Sequence, residues 1–210
     1  YLDLIDSKTD MELWEDELPP SRDILLQKSK GVDGILCLLT DAIDAEFMDA
    51  AGSQLKVVSQ IAVGYNNIDV LEATRRNIAV GYTPDVLTNT TADFTFALLM
   101  AGARRIPEGY KFVQESNWKT WHPLHFLGQD VYGSTLGIVG MGRIGFEVAR
   151  RATGFDMKII YYDINRRTDL ENKLSMEYVD MDTLLKDSDF VSLHTNLTEE
   201  THHLMGDDQF

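Results

Sequence analysis

Three glycines with the spacing Gly-x-Gly-x-x-Gly, at positions 140, 142 and 145, carry the clearest chemical signal in this sequence. They follow the apolar stretch TLGIV and lead into RIGFEVARRA, which is typical of a helix. In that setting Gly140 permits a tight turn, Gly142 lets a phosphate approach the backbone, and Gly145 lets the helix pack closely on the strand. The amides at the start of the helix then face anionic oxygens. The pattern predicts a binding site for the pyrophosphate of a dinucleotide.

An acidic residue, Asp163, ends the next apolar stretch, MKIIYYD. This is the position at which a carboxylate accepts hydrogen bonds from the adenosine ribose, and it would repel the 2′-phosphate of NADP. A charged hydrogen bond of this kind contributes ~1.5–3 kcal/mol. The residue therefore favours NAD. Arg166 and Arg167 follow closely and keep NADP possible as a second cofactor.

Two alternations of short apolar strands with helical patterns must position these residues. The first, in residues 1–85, has strands at 34–39, 56–60 and 78–81; the second, in 135–210, has strands at 135–140, 157–163, 176–180 and 189–194. Strands separated by single helices predict parallel sheets covered by helices, and hence an α/β fold of two domains.

The segment between them, residues 86–134, predicts a connecting helix followed by an aromatic arm at 117–129. Phe94, Ala97, Leu98 and Ala101 share one face of that helix, which we expect to end at Pro107.

Composition narrows the possible partners and the compartment. With 19 Lys and Arg against 34 Asp and Glu, the net charge of −15 argues against nucleic acid and membrane surfaces as partners. The lone Cys37 lies in an apolar run, which predicts a core thiol in a reducing compartment. No signal peptide, membrane helix or metal-ligand spacing is present in the sequence. We expect a cytoplasmic protein without a metal, and a natural chain longer than these 210 residues.

The stretch VGYNNIDV follows the second predicted strand, where a parallel sheet opens toward a crevice. The amides of Val63 and Gly64 there are candidates for a carboxylate-binding nest. Without further support, such a stretch is more often an ordinary turn between a strand and a helix.

Five stretches together resemble one family: VGYNNIDV, TADFTFALLMAGARR, WKTWHPLHFLG, GIVGMGRIG and FVSLHTNLTEETHHLM. Their combination is similar to the D-isomer-specific 2-hydroxyacid dehydrogenases, particularly the glyoxylate and hydroxypyruvate reductases, over nearly the whole chain. The resemblance implies two doubly wound parallel-sheet domains. A Rossmann NAD-binding domain is inserted into a flavodoxin-like substrate domain, which explains why so much sequence precedes the glycines.

The resemblance also implies roles for individual residues. Val63 and Gly64 would hold the carboxylate of a small 2-keto or 2-hydroxy acid, and Leu38 would line the same pocket. Trp121 resembles an aromatic residue that, in some members, reaches the neighbouring subunit's active site. The density of apolar and aromatic residues in 94–126 predicts that the full-length protein is a homodimer. The residues expected around the cofactor, besides the three glycines and Asp163, are Thr91, Arg143, Ile144, His194 and Thr201. One departure from the family pattern is His194-Thr195-Asn196, where His-x-Pro is usual.

No catalytic residue is expected within this chain. The family's catalytic arginine, glutamate and histidine would lie beyond residue 210, so these 210 residues are expected to be inactive alone. Two alternatives stay open: a dinucleotide-sensing corepressor of the same architecture, and a sister dehydrogenase acting on phosphoglycerate or formate. No extra basic side chains accompany VGYNN, which argues against phosphoglycerate.

Overall fold

The computed structural model describes residues 2–210 and divides into two compact units, with the division between Pro84 and Asp85. The first unit contains, in chain order, α1 (Leu2–Asp6), α2 (Arg22–Lys28), β1 (Gly34–Cys37), α3 (Ala45–Ala51), β2 (Val57–Gln60), α4 (Val70–Arg75) and β3 (Ala79–Gly81).

The sheet of the first unit is parallel, in the order β1-β2-β3. Two of its helices start where an aspartate satisfies a free amide: Asp44 accepts from the Phe47 amide and caps α3, and Asp69 accepts from the Glu72 amide and caps α4. The core lies between this helix and the sheet, with Phe47 and Val58 completely buried. Burying a side chain the size of Phe47 stabilises the fold by ~1.5–3 kcal/mol.

The second unit contains α5 (Thr88–Ala103), α6 (Ile106–Gln114), β4 (Thr135–Val139), α7 (Arg143–Ala152), β5 (Lys158–Tyr162), α8 (Thr168–Leu174), β6 (Glu177–Tyr178), α9 (Met181–Asp187) and β7 (Phe190–Leu193), with short 3-10 turns at Thr153–Phe155 and Asp207–Gln209. Its four strands are parallel, in the order β6-β5-β4-β7. The central strand β4 is almost entirely buried, as its unbroken apolar sequence requires. The predicted α/β fold with two parallel sheets is therefore confirmed.

The segment expected to connect the two domains differs from its prediction in two respects. Helix α5 ends at Ala103, and Pro107 lies in the first turn of the next helix, where its missing N–H costs nothing. Arg105, in a left-handed conformation with φ of 53°, separates the two helices.

A different face of α5 from the predicted one packs into the second unit. Ala92, Phe96 and Ala103 are buried there, whereas Phe94 and Leu98 of the predicted face are 63% and 58% exposed. Helix α5 is thus apolar on both sides, and only one side has a partner within residues 2–210. Within this range no helix has the length and apolar character needed to cross a bilayer.

Candidate functional site

The glycine turn lies between the buried strand β4 and helix α7. Gly140 has φ of 94°, and a Cβ placed on it would come within 2.7 Å of the His194 carbonyl oxygen. A Cβ on Gly145 would clash with the Gly140 carbonyl, whereas one on Gly142 would meet no atom within 4 Å. The first and third glycines are therefore needed for packing, and the second leaves open space over the turn.

The start of α7 presents free hydrogen-bond donors. Within residues 2–210, the amides of Gly142, Arg143, Ile144 and Gly145 have no acceptor, and no side chain caps the helix. Arg143 is a cation at the positive end of the helix dipole, which is unfavourable unless an anion lies nearby. Its guanidinium pairs with Asp85 at 3.0 Å. Amides and cation together suit a phosphate group.

Asp163 lies directly after β5 and contacts the glycine turn. Its Oδ2 accepts a hydrogen bond from the Met141 amide at 2.7 Å, and its Oδ1 accepts from the Asn165 amide at 2.9 Å. The carboxylate is thus held beside the turn. Since two carboxylate oxygens can accept about four hydrogen bonds, each oxygen keeps capacity for a ribose hydroxyl.

The two arginines that follow Asp163 are both engaged with carboxylates. Arg166 pairs with Glu171 at 2.8 Å and lies over the Tyr178 ring. Its guanidinium, with a hydrogen bond from Tyr161, lowers the pKa of the Glu171 carboxyl.

Arg167 pairs with Asp169 at 3.0 Å and lowers the pKa of that carboxyl. It also donates to the Met141 carbonyl at 3.0 Å, so it lies against the glycine turn. Recognition of a 2′-phosphate by either arginine would require it to leave these partners.

His194 follows β7, next to the glycine turn. Its amide donates to the Val139 carbonyl at 2.7 Å, and its Nε2 lies 2.8 Å from the Ser192 hydroxyl. Burial lowers the pKa of the imidazole, which favours the neutral form.

The other residues expected around the cofactor also lie in the second unit. The Thr201 hydroxyl donates to the Asn196 carbonyl and accepts from the Thr198 amide, so it orders its own loop. Thr91 lies in the first turn of α5. Trp121 lies on the aromatic arm and is 77% exposed. Their roles at a cofactor or substrate stay predictions.

Three of the four residues expected to bind the substrate, Leu38, Val63 and Gly64, lie in the first unit, in the loops that follow β1 and β2; the fourth, Trp121, lies in the second unit. The amides of Val63 and Gly64 donate to no acceptor within the described part of the chain. Leu38 follows β1 and is held by a hydrogen bond from its amide to the Asp41 carboxylate, at 2.8 Å. Two adjacent free amides in a loop are available to an anion such as a carboxylate, and their role as a nest stays a prediction.

Two side-chain amides, those of Gln60 and Asn67, contact each other next to these loops, and sequence reasoning assigned neither a role. Gln60 is completely buried at the end of β2, and its amide bonds to Asn67 at 2.8 Å. The polar pair Ser59-Gln60 at the end of β2 was the available signal for Gln60. Among residues 2–210, no three His, Cys, Asp or Glu side chains are grouped as a metal ion would require.

A parallel sheet, a glycine turn with free amides and a carboxylate after the next strand define the second unit as a dinucleotide-binding α/β domain. The sequence model described as "D-isomer specific 2-hydroxyacid dehydrogenase, NAD binding domain" matches residues 96–210. The chain belongs to the D-isomer specific 2-hydroxyacid dehydrogenase family.

Similar proteins agree with this assignment. The chain is 57% identical to a glyoxylate reductase of Korarchaeum cryptofilum, over 99% of this chain and 63% of the relative. It is 51% identical to a glyoxylate reductase of Thermococcus litoralis, over 97% of this chain and 62% of the relative. Among solved structures, the TT0316 protein of Thermus thermophilus is 44% identical with a TM-score of 0.82, over 89% of this chain and 58% of that one. The chain thus spans less than two thirds of the length of these relatives.

Proposed function

We propose that the protein containing this chain reduces a small 2-keto acid, such as glyoxylate or hydroxypyruvate, with NADH as the hydride donor. The proposal depends on one observation: in a chain of this family, two sets of backbone amides have no hydrogen-bond acceptor among the described residues. One set, at the start of α7, suits a pyrophosphate; the other, at Val63 and Gly64, suits a carboxylate. The relatives named glyoxylate reductase support this substrate class.

The residues present fit a nicotinamide dinucleotide. Space above Gly142 and the free amides of α7 would accommodate the pyrophosphate, and Arg143 would become a counter-charge on exchanging Asp85 for the phosphate. Asp163 would accept from the adenosine ribose. When bound, the cofactor supplies the hydride.

This chain's contribution to the reaction is binding and orientation. The amides of Val63 and Gly64 would hold the substrate carboxylate, and Leu38 would form an apolar wall beside it. Polarising the ketone and protonating the nascent alkoxide require a cation and an acid. We assign those roles to the arginine and histidine that the family resemblance places in the part of the relatives that this chain does not span.

We further infer that the cofactor is NAD in preference to NADP, because Asp163 is negative and both neighbouring arginines are paired. The protein is proposed to be a homodimer, supported by the exposed apolar side chains of α5, α6 and the arm: Phe94, Leu98, Ile106, Tyr110, Val113, Trp118 and Trp121. A cytoplasmic location is supported by the free thiol of Cys37.

The test is turnover by the intact protein. NADH oxidation is followed with glyoxylate, hydroxypyruvate and 3-phosphohydroxypyruvate, and with propionaldehyde as a carbonyl compound that lacks the carboxylate. We expect the first two to be reduced and the aldehyde to be inert. Preference for the phosphorylated acid would indicate a phosphoglycerate dehydrogenase. NADH binding without turnover of any acid would contradict the proposal and favour a dinucleotide-sensing protein.

A further inference from the structure

Gln60 is one of two buried polar side chains among residues 2–210, the other being Ser29. It is 1% exposed at the carboxyl end of β2, yet both ends of its amide are satisfied. Its Oε1 accepts from the Cys37 thiol at 3.0 Å, and its Nε2 donates to the Asn67 Oδ1 at 2.8 Å and to the Gly64 carbonyl at 3.3 Å. A buried amide is tolerated only where such partners exist.

Asn67 continues this network to the loop after β1. Its Nδ2 donates to the Leu38 carbonyl at 3.0 Å and to the Asp41 carbonyl at 2.8 Å. The two side-chain amides therefore join two separate loops. One loop carries Leu38, and the other carries the free amides of Val63 and Gly64.

Cys37, the last residue of β1, completes the network through its thiol. Burial, with a smaller contribution from Asp41, raises the pKa of its thiol to about 11. The thiol therefore stays protonated near neutral pH and donates to Gln60. Every polar group in the network thus has a partner, and such a network orients its members more strictly than apolar packing does.

We propose that Gln60 and Asn67 are positioning residues that set the shape of the carboxylate-binding loop. Through the carbonyls of Gly64 and Leu38 they hold the nest amides at a defined separation from the apolar wall. The substrate class that this arrangement admits is a short 2-keto acid whose carboxylate enters the nest. The inference rests on the proposed function.

The test uses two variants of similar volume, Gln60→Met and Asn67→Leu, in the intact protein. Each removes the hydrogen bonds of one amide. We expect KM for glyoxylate to rise about tenfold or more, the factor that the loss of a buried hydrogen bond produces. We expect kcat to change much less and the Kd for NADH to stay within about twofold, because the carboxylate interaction is made before and during hydride transfer alike.

The matched control is Ser29→Ala. It removes a buried hydroxyl that donates to the Leu26 carbonyl at 3.0 Å in the same unit, away from the two loops. Its KM is expected to equal that of the parent. The double variant Gln60→Met with Asn67→Leu is expected to have a KM about equal to that of the more impaired single variant, since both act through one network.

The outcomes separate the two levels of the proposal. An active parent with unchanged KM in both variants would overturn the inference and leave the proposed function standing. An equal rise in KM for Ser29→Ala would also overturn it, because general loosening of the unit would then account for the effect. A parent without turnover on any 2-keto acid would overturn the proposed function and the inference together. If Gln60→Met does not fold, Asn67→Leu, whose side chain is only partly buried, decides the question by the same criteria.

Discussion

At the scale of single residues, Asp163 combines an observed structural contact with a proposed role in cofactor binding. Its carboxylate fixes the glycine turn through the Met141 amide, and its two oxygens keep the capacity to accept further hydrogen bonds. A residue with this double contact is expected to influence both the shape of the turn and the choice of cofactor.

We expect Asp163→Ala to weaken NADH binding about tenfold and to bring the NADH and NADPH affinities closer together, since a charged acceptor is lost and repulsion of the 2′-phosphate disappears. Fluorescence titration with both cofactors measures this. Asp180→Ala is the control, because Asp180 also accepts from a backbone amide, that of Thr183, but caps α9. Equal affinities in the parent would contradict the NAD assignment.

Gly140 is expected to be sensitive to a single methyl group. Gly140→Ala would force a side chain into a conformation with φ of 94° and against the His194 carbonyl. The expected loss is about 1–3 kcal/mol or more in the free energy of unfolding. Gly154→Ala, where a Cβ meets no atom within 4 Å, is the matched control and should change it little. Urea denaturation compares the two, and equal midpoints would show that the turn relaxes.

His194 is expected to make stability depend on pH. Because burial lowers its pKa in the folded state, the unfolded chain takes up the proton first as pH falls. The contribution of neutral His194 to the free energy of unfolding is complete above the ordinary histidine pKa of ~6.5. It is lost progressively as pH falls below that value and through the lower folded-state pKa. Relative to the parent, His194→Gln should therefore gain stability between about pH 7 and pH 5. The exposed His202→Gln is the control in thermal unfolding across that range, and parallel curves for parent and His194→Gln would refute the assignment.

At the scale of secondary-structure elements, α5 is the unusual helix. One apolar side packs in the second unit, while Phe94 and Leu98 remain exposed on the other. A helix that is apolar all round is normally covered on both sides. This makes α5 the natural centre of the proposed subunit contact.

We expect Leu98→Glu to convert the intact protein to a monomer, since a buried carboxylate at an apolar contact is strongly unfavourable. Leu71→Glu is the control: Leu71 is 85% exposed on α4 of the first unit and should leave the assembly intact. Light scattering at tens of micromolar reports the mass. A parent that is already monomeric would remove the basis for the proposal.

At the scale of the whole molecule, the two units divide the proposed work. The first presents the free amides of Val63 and Gly64, which we propose bind the carboxylate, and the second presents the glycine turn and Asp163. The chain spans 63% of its Korarchaeum relative, so part of the relative's length has no counterpart here.

We predict that the 210-residue chain alone binds NADH but does not reduce glyoxylate at an enzymatic rate. The general acid that the family resemblance places outside this chain contributes ~10²–10⁴-fold. Circular dichroism first establishes folding, and turnover is then compared with a longer version of the protein that covers the full length of the relatives. Comparable rates would show that a residue of this chain, with His194 the first to examine, acts as the acid.

Local patterns of the sequence determined most of the fold and the position of the glycine turn. Strand and helix positions, the glycine turn and the acidic residue after β5 depend on neighbours within a few positions, so periodicity and spacing are sufficient to predict them. The prediction that the connecting helix ends at Pro107 is wrong, because a proline is compatible with the first turn of a helix as well as with the end of one.

Only the tertiary structure decided which face of α5 is buried, because the helix is apolar on both sides and its sequence favours neither. It alone joined Asp163 to Met141, 22 positions away, and Asn67 to Leu38, 29 positions away. Such contacts form because parallel strands bring their carboxyl ends to the same edge of a sheet. Which side chains then meet there depends on strand order and register, which arise from the packing of the whole unit and from no single stretch of sequence.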